Sequence, residues 1–388
     1  EEDGVWKEKK DQFIQFLKQE PGRYETWPAT KAGPARDKDT LDKYTYIPEI
    51  AALRDVRSQL DNLKWFRDEA WHELSEHVDT SENRLRAWLN PYGTQTARNA
   101  PPARVFLPAM SAWLRVIVSP GEGEVFEGSD WSSQEFAIAA VLSGDTNMME
   151  AYKSGDPYVY FAKVAGAIPQ EAVNKWVKTP ALAPEGEREK YAEFASTRDL
   201  FKATVLGLQY GMGAASLAVK LTIDTGRKIT ESDAKKLISL HKRAFPRLWK
   251  WQDTIEHLYD REALVLNGGW ALLQDNPSAL SVRNFPVQGT GSMMMHEALY
   301  LAQKRGIRMS FPLHDALYMI RGVQDTDAIK ELEECMDEAT NTILGDSIQI
   351  RHESVTVEPG KPWIEKKWAK KYEKYGRYLQ NDLTPITE

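Results

Sequence analysis

Two aspartates placed at the ends of apolar runs are the residues of this sequence best suited to chemistry. Asp130 lies in Gly128-Ser129-Asp130-Trp131-Ser132-Ser133-Gln134-Glu135, and Asp315 in Leu313-His314-Asp315-Ala316. Two hard carboxylates can hold a pair of Mg²⁺ ions roughly 3.5–4 Å apart and so clamp the attacking and leaving oxygens of an in-line displacement at phosphorus. Between them in the chain runs Arg198-Asp199-Leu200-Phe201-Lys202-Ala203-Thr204-Val205-Leu206-Gly207-Leu208-Gln209-Tyr210-Gly211. In a helix, residues four apart lie nearly above one another, so Arg198, Lys202, Leu206 and Tyr210 form one slowly drifting stripe. Arg grips phosphate oxygens bidentately and Lys acts as a compact point charge, so together they offset the charge of a triphosphate. Leu206 is then placed to pack on a sugar and Tyr210 on a base. Singly, each piece has a plainer reading, because an Asp at a strand end is usually a turn residue or cap and helical Arg and Lys are usually solvated. The three segments in this order give the phosphoryl-transfer reading.

The elements that must carry these residues follow from local pattern. Residues 40–77 read as helix, with Leu53, Val56, Leu60, Leu63 and Phe66 at three- and four-residue spacing. Residues 84–98 read as a hairpin turning at Asn90-Pro91-Tyr92-Gly93. Val125 and Phe126 lead a strand into Asp130, and residues 136–142 form a helix after it. Residues 145–275 are expected to be mostly helical, broken at Pro157, Pro169, Pro180, Pro184 and Pro246. Residues 305–321 read as a β-hairpin with His314-Asp315 at its tip, poor turn chemistry that suits residues placed there for another purpose. Residues 364–388 form a basic tail interleaved with tyrosines, which reads first as a solvated terminal helix and second as a nucleic-acid strip.

Composition bounds the function. With 388 residues, 42% of them hydrophobic, the chain can bury a large core and divide into two or three subdomains. A net charge of −7 argues against holding nucleic acid by bulk attraction and calls for localised basic faces. The single cysteine, Cys335, cannot form an internal disulfide, which fits a reducing cytoplasm, the host's if the chain is viral. No apolar stretch reaches the ~18 residues of a membrane span. No Cys/His zinc spacing and no Gly-x-x-x-x-Gly-Lys phosphate loop is present. The chain begins at Glu1 without methionine, as a fragment of a longer protein would.

At this point the sequence resembles the polymerase region of family A DNA polymerases, most of all those of bacteriophages. The Asp130 segment resembles that family's motif A, the Arg198–Tyr210 stretch its nucleotide-binding O helix, and Leu313-His314-Asp315 its motif C. Thr96-Ala97-Arg98, Asn284-Phe285-Pro286-Val287-Gln288-Gly289-Thr290 and Val357-Glu358-Pro359-Gly360-Lys361-Pro362-Trp363 extend the resemblance over nearly the whole chain. It implies an α+β right-hand polymerase fold with an antiparallel-sheet palm, helical fingers and a helical thumb. The implied division is a short thumb and the start of the palm over 1–95, palm with motif A over 96–142 and fingers over 143–278. Palm with motif C over 279–363 and the tail over 364–388 complete it.

The resemblance also implies roles. Asp130, the backbone carbonyl of Trp131 and Asp315 would hold two Mg²⁺ ions, with Mn²⁺ able to substitute. Arg198 and Lys202 would bind the phosphates, Lys202 protonating the leaving pyrophosphate. Leu206 and Tyr210 would meet sugar and base, and Glu135 would block a ribose 2′-hydroxyl so that dNTPs are selected. Arg98, Asn284, Gln288 and His314 would contact the primer terminus and minor groove. Implied partners are primer-template DNA, dNTPs and replication accessory proteins such as a helicase, around a monomer without a membrane role. The implied function is phage DNA replication, and no 3′–5′ exonuclease is expected in a chain with no room for one before residue 40.

Several positions depart from the family pattern. Ala316 stands where glutamate is usual, Ser133-Gln134 where Gln-Ile is usual, Ala137 and Leu280 where arginine is common, and Leu206 where a ring is ordinary. Asn267-Gly268-Gly269-Trp270 replaces a basic cluster. A single-subunit RNA polymerase shares the two aspartates, but Glu135 argues against it. A catalytically silent DNA-binding module would not be expected to keep Asp130, Lys202 and Asp315 together.

Overall fold

The centre of the molecule is a four-stranded antiparallel sheet in the order β6-β7-β5-β8. Its strands are β5 (Glu124–Trp131), β6 (Met309–Leu313), β7 (Ala316–Gly322) and β8 (His352–Val357). The computed structural model describes residues 10–30, 33–63, 76–82, 84–86, 88–101, 106, 112–259, 264–273 and 277–364. Strand β5 is central and almost wholly buried, as a strand covered on both faces must be. Because strand side chains alternate between faces, Ser129 and Trp131 look one way, and Phe126, Gly128 and Asp130 the other.

The first face lies on two long helices, α13 (Ala279–Lys304) and α14 (Ala328–Leu344). Trp131 is fully buried there, its indole Nε1 donating to Thr340 Oγ1 at 3.2 Å, and Ser129 donates to Glu333 at 3.1 Å. The second face carries an aromatic cluster in which Phe126 stacks on Tyr318 at 5.4 Å and Trp363 joins both. Gly128 is required by this packing, since a Cβ there would sit 2.4 Å from the Tyr318 ring.

Between β5 and Tyr259 the chain is mostly helical, whereas residues 264–273, expected to be helical as well, turn back through a bridge between Val265 and Ala271. Helix α5 (Gln134–Ser143) follows β5 directly, then α6 (Thr146–Lys153), α7 (Pro157–Val164), α8 (Asn174–Lys178), α9 (Arg188–Gln209), α10 (Ala214–Thr225), α11 (Glu231–Ala244) and α12 (Pro246–Tyr259). The prolines break it as expected, and the reason is visible. Pro157 and Pro246 open helices, where a missing N–H leaves nothing unsatisfied. Asp145 starts two helices at once: Oδ1 accepts from Asn147 and Met148 in α6, and Oδ2 from Arg247 and Leu248 in α12.

Toward the N-terminus lie α1 (Lys10–Lys18), α2 (Arg23–Thr26), the short pair β1 (Ala29–Thr30) and β2 (Gly33–Pro34), and then α3 (Lys38–Lys43) and α4 (Pro48–Leu63). The helix expected over 40–77 is therefore two helices separated at residues 44–47, with α4 beginning at a proline; its stretch 64–75 lies outside the described residues. The hairpin expected over 84–98 takes a different form. Arg84–Leu85 (β4) pairs back onto Val78–Asp79 (β3), while Asn90 bridges Ala100, so two small pairings replace one. The hairpin at 305–321 is observed as β6 and β7 around His314-Asp315. The tail beyond residue 364 lies outside the described residues. Among the described residues, no helix is long and apolar enough to cross a membrane.

Candidate active site

The two aspartates meet at one end of the sheet. Asp130 pairs in register with Ala316 on one side and Glu353 on the other, and the Trp131 N–H donates to the Asp315 carbonyl at 3.1 Å. Asp315 reaches the same point from the tip of the β6–β7 hairpin. His314 before it takes φ 57°, a left-handed conformation that costs a non-glycine residue roughly 1 kcal/mol and aims the tip. The two carboxyl groups are in hydrogen-bond contact, and Asp315 titrates above the ordinary carboxylate range because it is buried and faces the charge of Glu135. Burial also holds the His314 imidazole below its usual value, with Arg115 and Arg98 adding to the effect and Asp315 opposing it.

This donor set suits divalent cations. Mg²⁺ is usually bound by one or two carboxylates plus substrate phosphates, and here two hard oxygen donors meet where a third negative charge already raises the cost of ionisation. Among the described residues, no group of three or more His, Cys, Asp or Glu side chains is arranged to hold an ion by itself. Substrate oxygens would have to complete the shell. Ala316 is buried at 6% exposure against Leu313 and Tyr318, so the glutamate usual in the family would have to enter an apolar wall.

Glu135 opens α5 one turn beyond the sheet. Its Oε1 accepts from Arg98 at 2.7 Å and from the Tyr210 hydroxyl at 3.3 Å. Arg98 is aimed by an unusual turn: Ala97 takes φ 58°, and its carbonyl accepts from Ser292 Oγ at 2.6 Å and bonds His296 Nε2 at 3.0 Å. Both partners lie on α13. On that helix Leu280, Asn284, Gln288 and Ser292 fall at four-residue spacing, one stripe running from Leu280, which presses on Gly211, to Ser292 beside Arg98. Asn284 and Gln288 are half-buried along it. A cavity of about 140 Å³ beside the hairpin tip is lined by Arg98, Gln134, Gly291 and His314 among others.

The cationic stripe is the expected helix, α9, and it ends as expected, with Tyr210 at its C-cap and Gly211 at φ 69°. The buried face of α9 carries Phe201, Ala203, Val205 and Leu208, which leaves Lys202 exposed and Leu206 half-buried on the stripe. The structure adds two residues that sequence reasoning missed. Arg198 Nε donates to Asp156 Oδ2 at 2.6 Å, while Asp156 Oδ1 caps α7 by accepting from Tyr158 and Val159. The Tyr158 ring lies under both cations, 5.6 Å from Arg198 and 5.7 Å from Lys202, and its hydroxyl is 3.4 Å from Ser133 Oγ. Tyr158 thus joins the cationic helix to the Asp130 segment. The Asp156-Pro157 pair carried a capping signal, whereas nothing local marked Tyr158.

A sheet that ends in paired carboxylates, faced by a helix carrying Arg and Lys, is the right-hand polymerase fold. The POL domain of Pol1 from M. smegmatis, solved in complex with DNA primer-template and dNTP, shares that fold with a TM-score of 0.58 and 19% identity, over 87% of this chain and 57% of that one. The chain belongs to DNA polymerase family A, whose sequence model matches residues 9–365. It is 25% identical to DNA polymerase I of Aquifex aeolicus over 350 residues, 88% of this chain and 54% of that protein. It is also 25% identical to the DNA polymerase of Mycobacterium phage D29 over 293 residues, 72% of this chain and 44% of that protein. The chain thus spans about half the length of the curated relatives it matches.

Proposed function

We propose that this chain carries template-directed DNA synthesis, adding dNTPs to a primer 3′-hydroxyl with release of pyrophosphate. The observation that carries the reading is the contact of Asp130 and Asp315 at the end of the sheet, next to Glu135. When bound there, two Mg²⁺ ions supply Lewis-acid chemistry, lowering the pKa of the attacking hydroxyl and neutralising charge on the phosphates. Asp130 and Asp315, with the Trp131 carbonyl, are the ligands this assigns. Lys202 is exposed and, among the described residues, forms no ion pair, so its ammonium is available to a triphosphate and can give a proton to the leaving pyrophosphate. Arg198 gives Nε to Asp156 and Nη1 to the exposed Asp199, and its remaining guanidinium donors bind phosphate oxygens.

Glu135 is fixed by Arg98 and Tyr210, and a carboxylate held from two sides is a rigid wall. A wall that cannot move rejects the extra hydroxyl of a ribonucleotide, which favours dNTPs as substrate. Tyr210 then stacks near the templating base, while Arg98, Asn284, Gln288 and His314 line the path of the primer terminus. The reading includes a role in phage DNA replication, supported by the likeness to the phage D29 polymerase.

The test is extension of a labelled primer on a DNA template with Mg²⁺, comparing dNTPs with rNTPs and intact protein with Asp315→Asn. Extension is expected with dNTPs and to fall ~10³-fold or more in the variant. Intact protein that binds the duplex and never extends it would make the chain a DNA-binding module instead.

A further inference from the structure

A second cavity, of about 280 Å³, lies between residues 43–46, at the end of α3 and just after it, and the middle of α10 with residues 228–229 beyond that helix. Helix α10 begins directly after the turn at residues 211–213, and Thr222 lies eight residues along it, ~12 Å at the usual helical rise. One wall is aromatic. Tyr44 is set against the buried Trp27 with ring centroids 4.2 Å apart, and Tyr46 stands beside it at 6.1 Å. Two exposed lysines mark the lips, Lys43 from one side and Lys228 from the other, with Lys228 Nζ 5.6 Å from the centre of the Tyr46 ring.

The acids next to the lining residues in sequence on α3 and α10 are already paired. Asp42 pairs with Arg54, and Asp224 pairs with Lys220 at 2.8 Å, whereas among the described residues neither Lys43 nor Lys228 forms an ion pair. The Thr222 hydroxyl is used as well, since its Oγ1 both donates to Ala218 and accepts from Ile229. Rings and cations without base-edge readout are the chemistry of sequence-tolerant single-strand binding, in which bases stack and phosphates meet lysines. A duplex is too wide for a cleft of this volume, and a free triphosphate would call for denser positive charge.

We propose that this cleft takes the single-stranded template a few nucleotides ahead of the templating base, with a base on Tyr46 and phosphates on Lys43 and Lys228. The inference rests on the polymerase reading above and extends it, since it adds a grip on template that has not yet been copied. The strand runs past the turn at residues 211–213 and along α10 to reach it.

The experiment compares binding of the intact chain to labelled primer-templates carrying a single-nucleotide or a long 5′ template overhang, over a series of salt concentrations. The long overhang should bind more tightly, and Tyr46→Ala should remove about 10-fold of that gain while Tyr46→Phe, which keeps the ring, retains it. Lys43→Ala combined with Lys228→Ala should make the salt slope on the long overhang shallower by about 1.4, the amount expected for two single-strand phosphate contacts. Single-nucleotide extension on the short overhang is measured in parallel. An intact protein that extends this template but gains nothing from the longer overhang, or variants that keep the whole gain, would overturn the cleft assignment alone. Failure of the intact protein to extend any template would overturn the polymerase reading beneath it.

Discussion

The acidic and basic halves of the site are held in place by different means. At the sheet end, backbone pairing does the positioning: Asp130 is flanked in register by Ala316 and Glu353, and the main chain of Trp131 bonds that of Asp315. In the helical block, side chains do it. Arg198 rests on Asp156 and, with Lys202, over the Tyr158 ring, and α9 as a whole is anchored by its opposite, apolar face. A backbone ladder fixes atoms without reference to substrate, whereas an ion pair is exchanged when a better anion arrives. The carboxylates are therefore preorganised and the cations are recruitable.

The largest expected effect breaks this comparison at its two ends. Asp130→Asn, which keeps shape and removes charge, should lower the rate of nucleotide addition by ~10³-fold or more at every dNTP concentration. Lys202→Ala should cost ~10²-fold, the lower range for loss of a general acid, and also raise the dNTP concentration needed. Single-turnover addition of one nucleotide, titrated in dNTP, separates the two. Equal losses in both variants would mean that the cations are as rigidly placed as the carboxylates.

Asp156→Asn tests the recruitable half more finely. Asparagine still caps α7, so the helix start survives, but Arg198 loses its buried anionic partner and keeps only the exposed Asp199. The Arg198 side chain is only 14% exposed, and loss of a charged hydrogen bond there should destabilise the fold by about 2 kcal/mol in urea melts. The half-saturating dNTP concentration should rise several-fold, with the maximal rate less affected. A change confined to stability would make Asp156 a structural cap and nothing more.

How much of this was legible depended on the range of the interaction. The strand into Asp130, the hairpin tip at Asp315 and the α9 stripe each follow from periodicity within one segment, and all three are observed. Arg198's partner lies 42 residues earlier in the chain, and Asp145 reaches 102 residues ahead to cap α12. Spacing carries no record of such pairings. The expected hairpin over 84–98 failed for a related reason: Arg84 donates to Glu124, 40 residues on, so tertiary pairing decides where that segment folds back. The 26 residues of α13 contain Pro286, and local rules favour a break there. Packing against α14 and the sheet keeps the helix whole.

The last effect, and the one that sharpens the contrast, is in the pH dependence of stability and not in nucleotide addition. Buried His241 in the helical block is pushed down to about 3 by desolvation, with Trp249 Nε1 donating to its Nδ1 at 3.0 Å and Phe161 and Phe245 edge-on to its ring. A depressed folded pKa means that the unfolded chain binds the proton first. Stability contributed by neutral His241 is therefore present above 6.5 and lost as pH falls from there toward 3, at a limiting slope of about 1.4 kcal/mol per pH unit. At the sheet end the sign reverses. Asp315 titrates above its ordinary value, so in metal-free protein its contribution is present below 3.8 and lost as pH rises through the raised value. His241→Phe should flatten the acid side of a stability profile measured by urea unfolding, and Asp315→Asn should lift the neutral side. A profile in which the two substitutions moved the same limb would mean that one of these groups is not buried in the charge state its surroundings dictate.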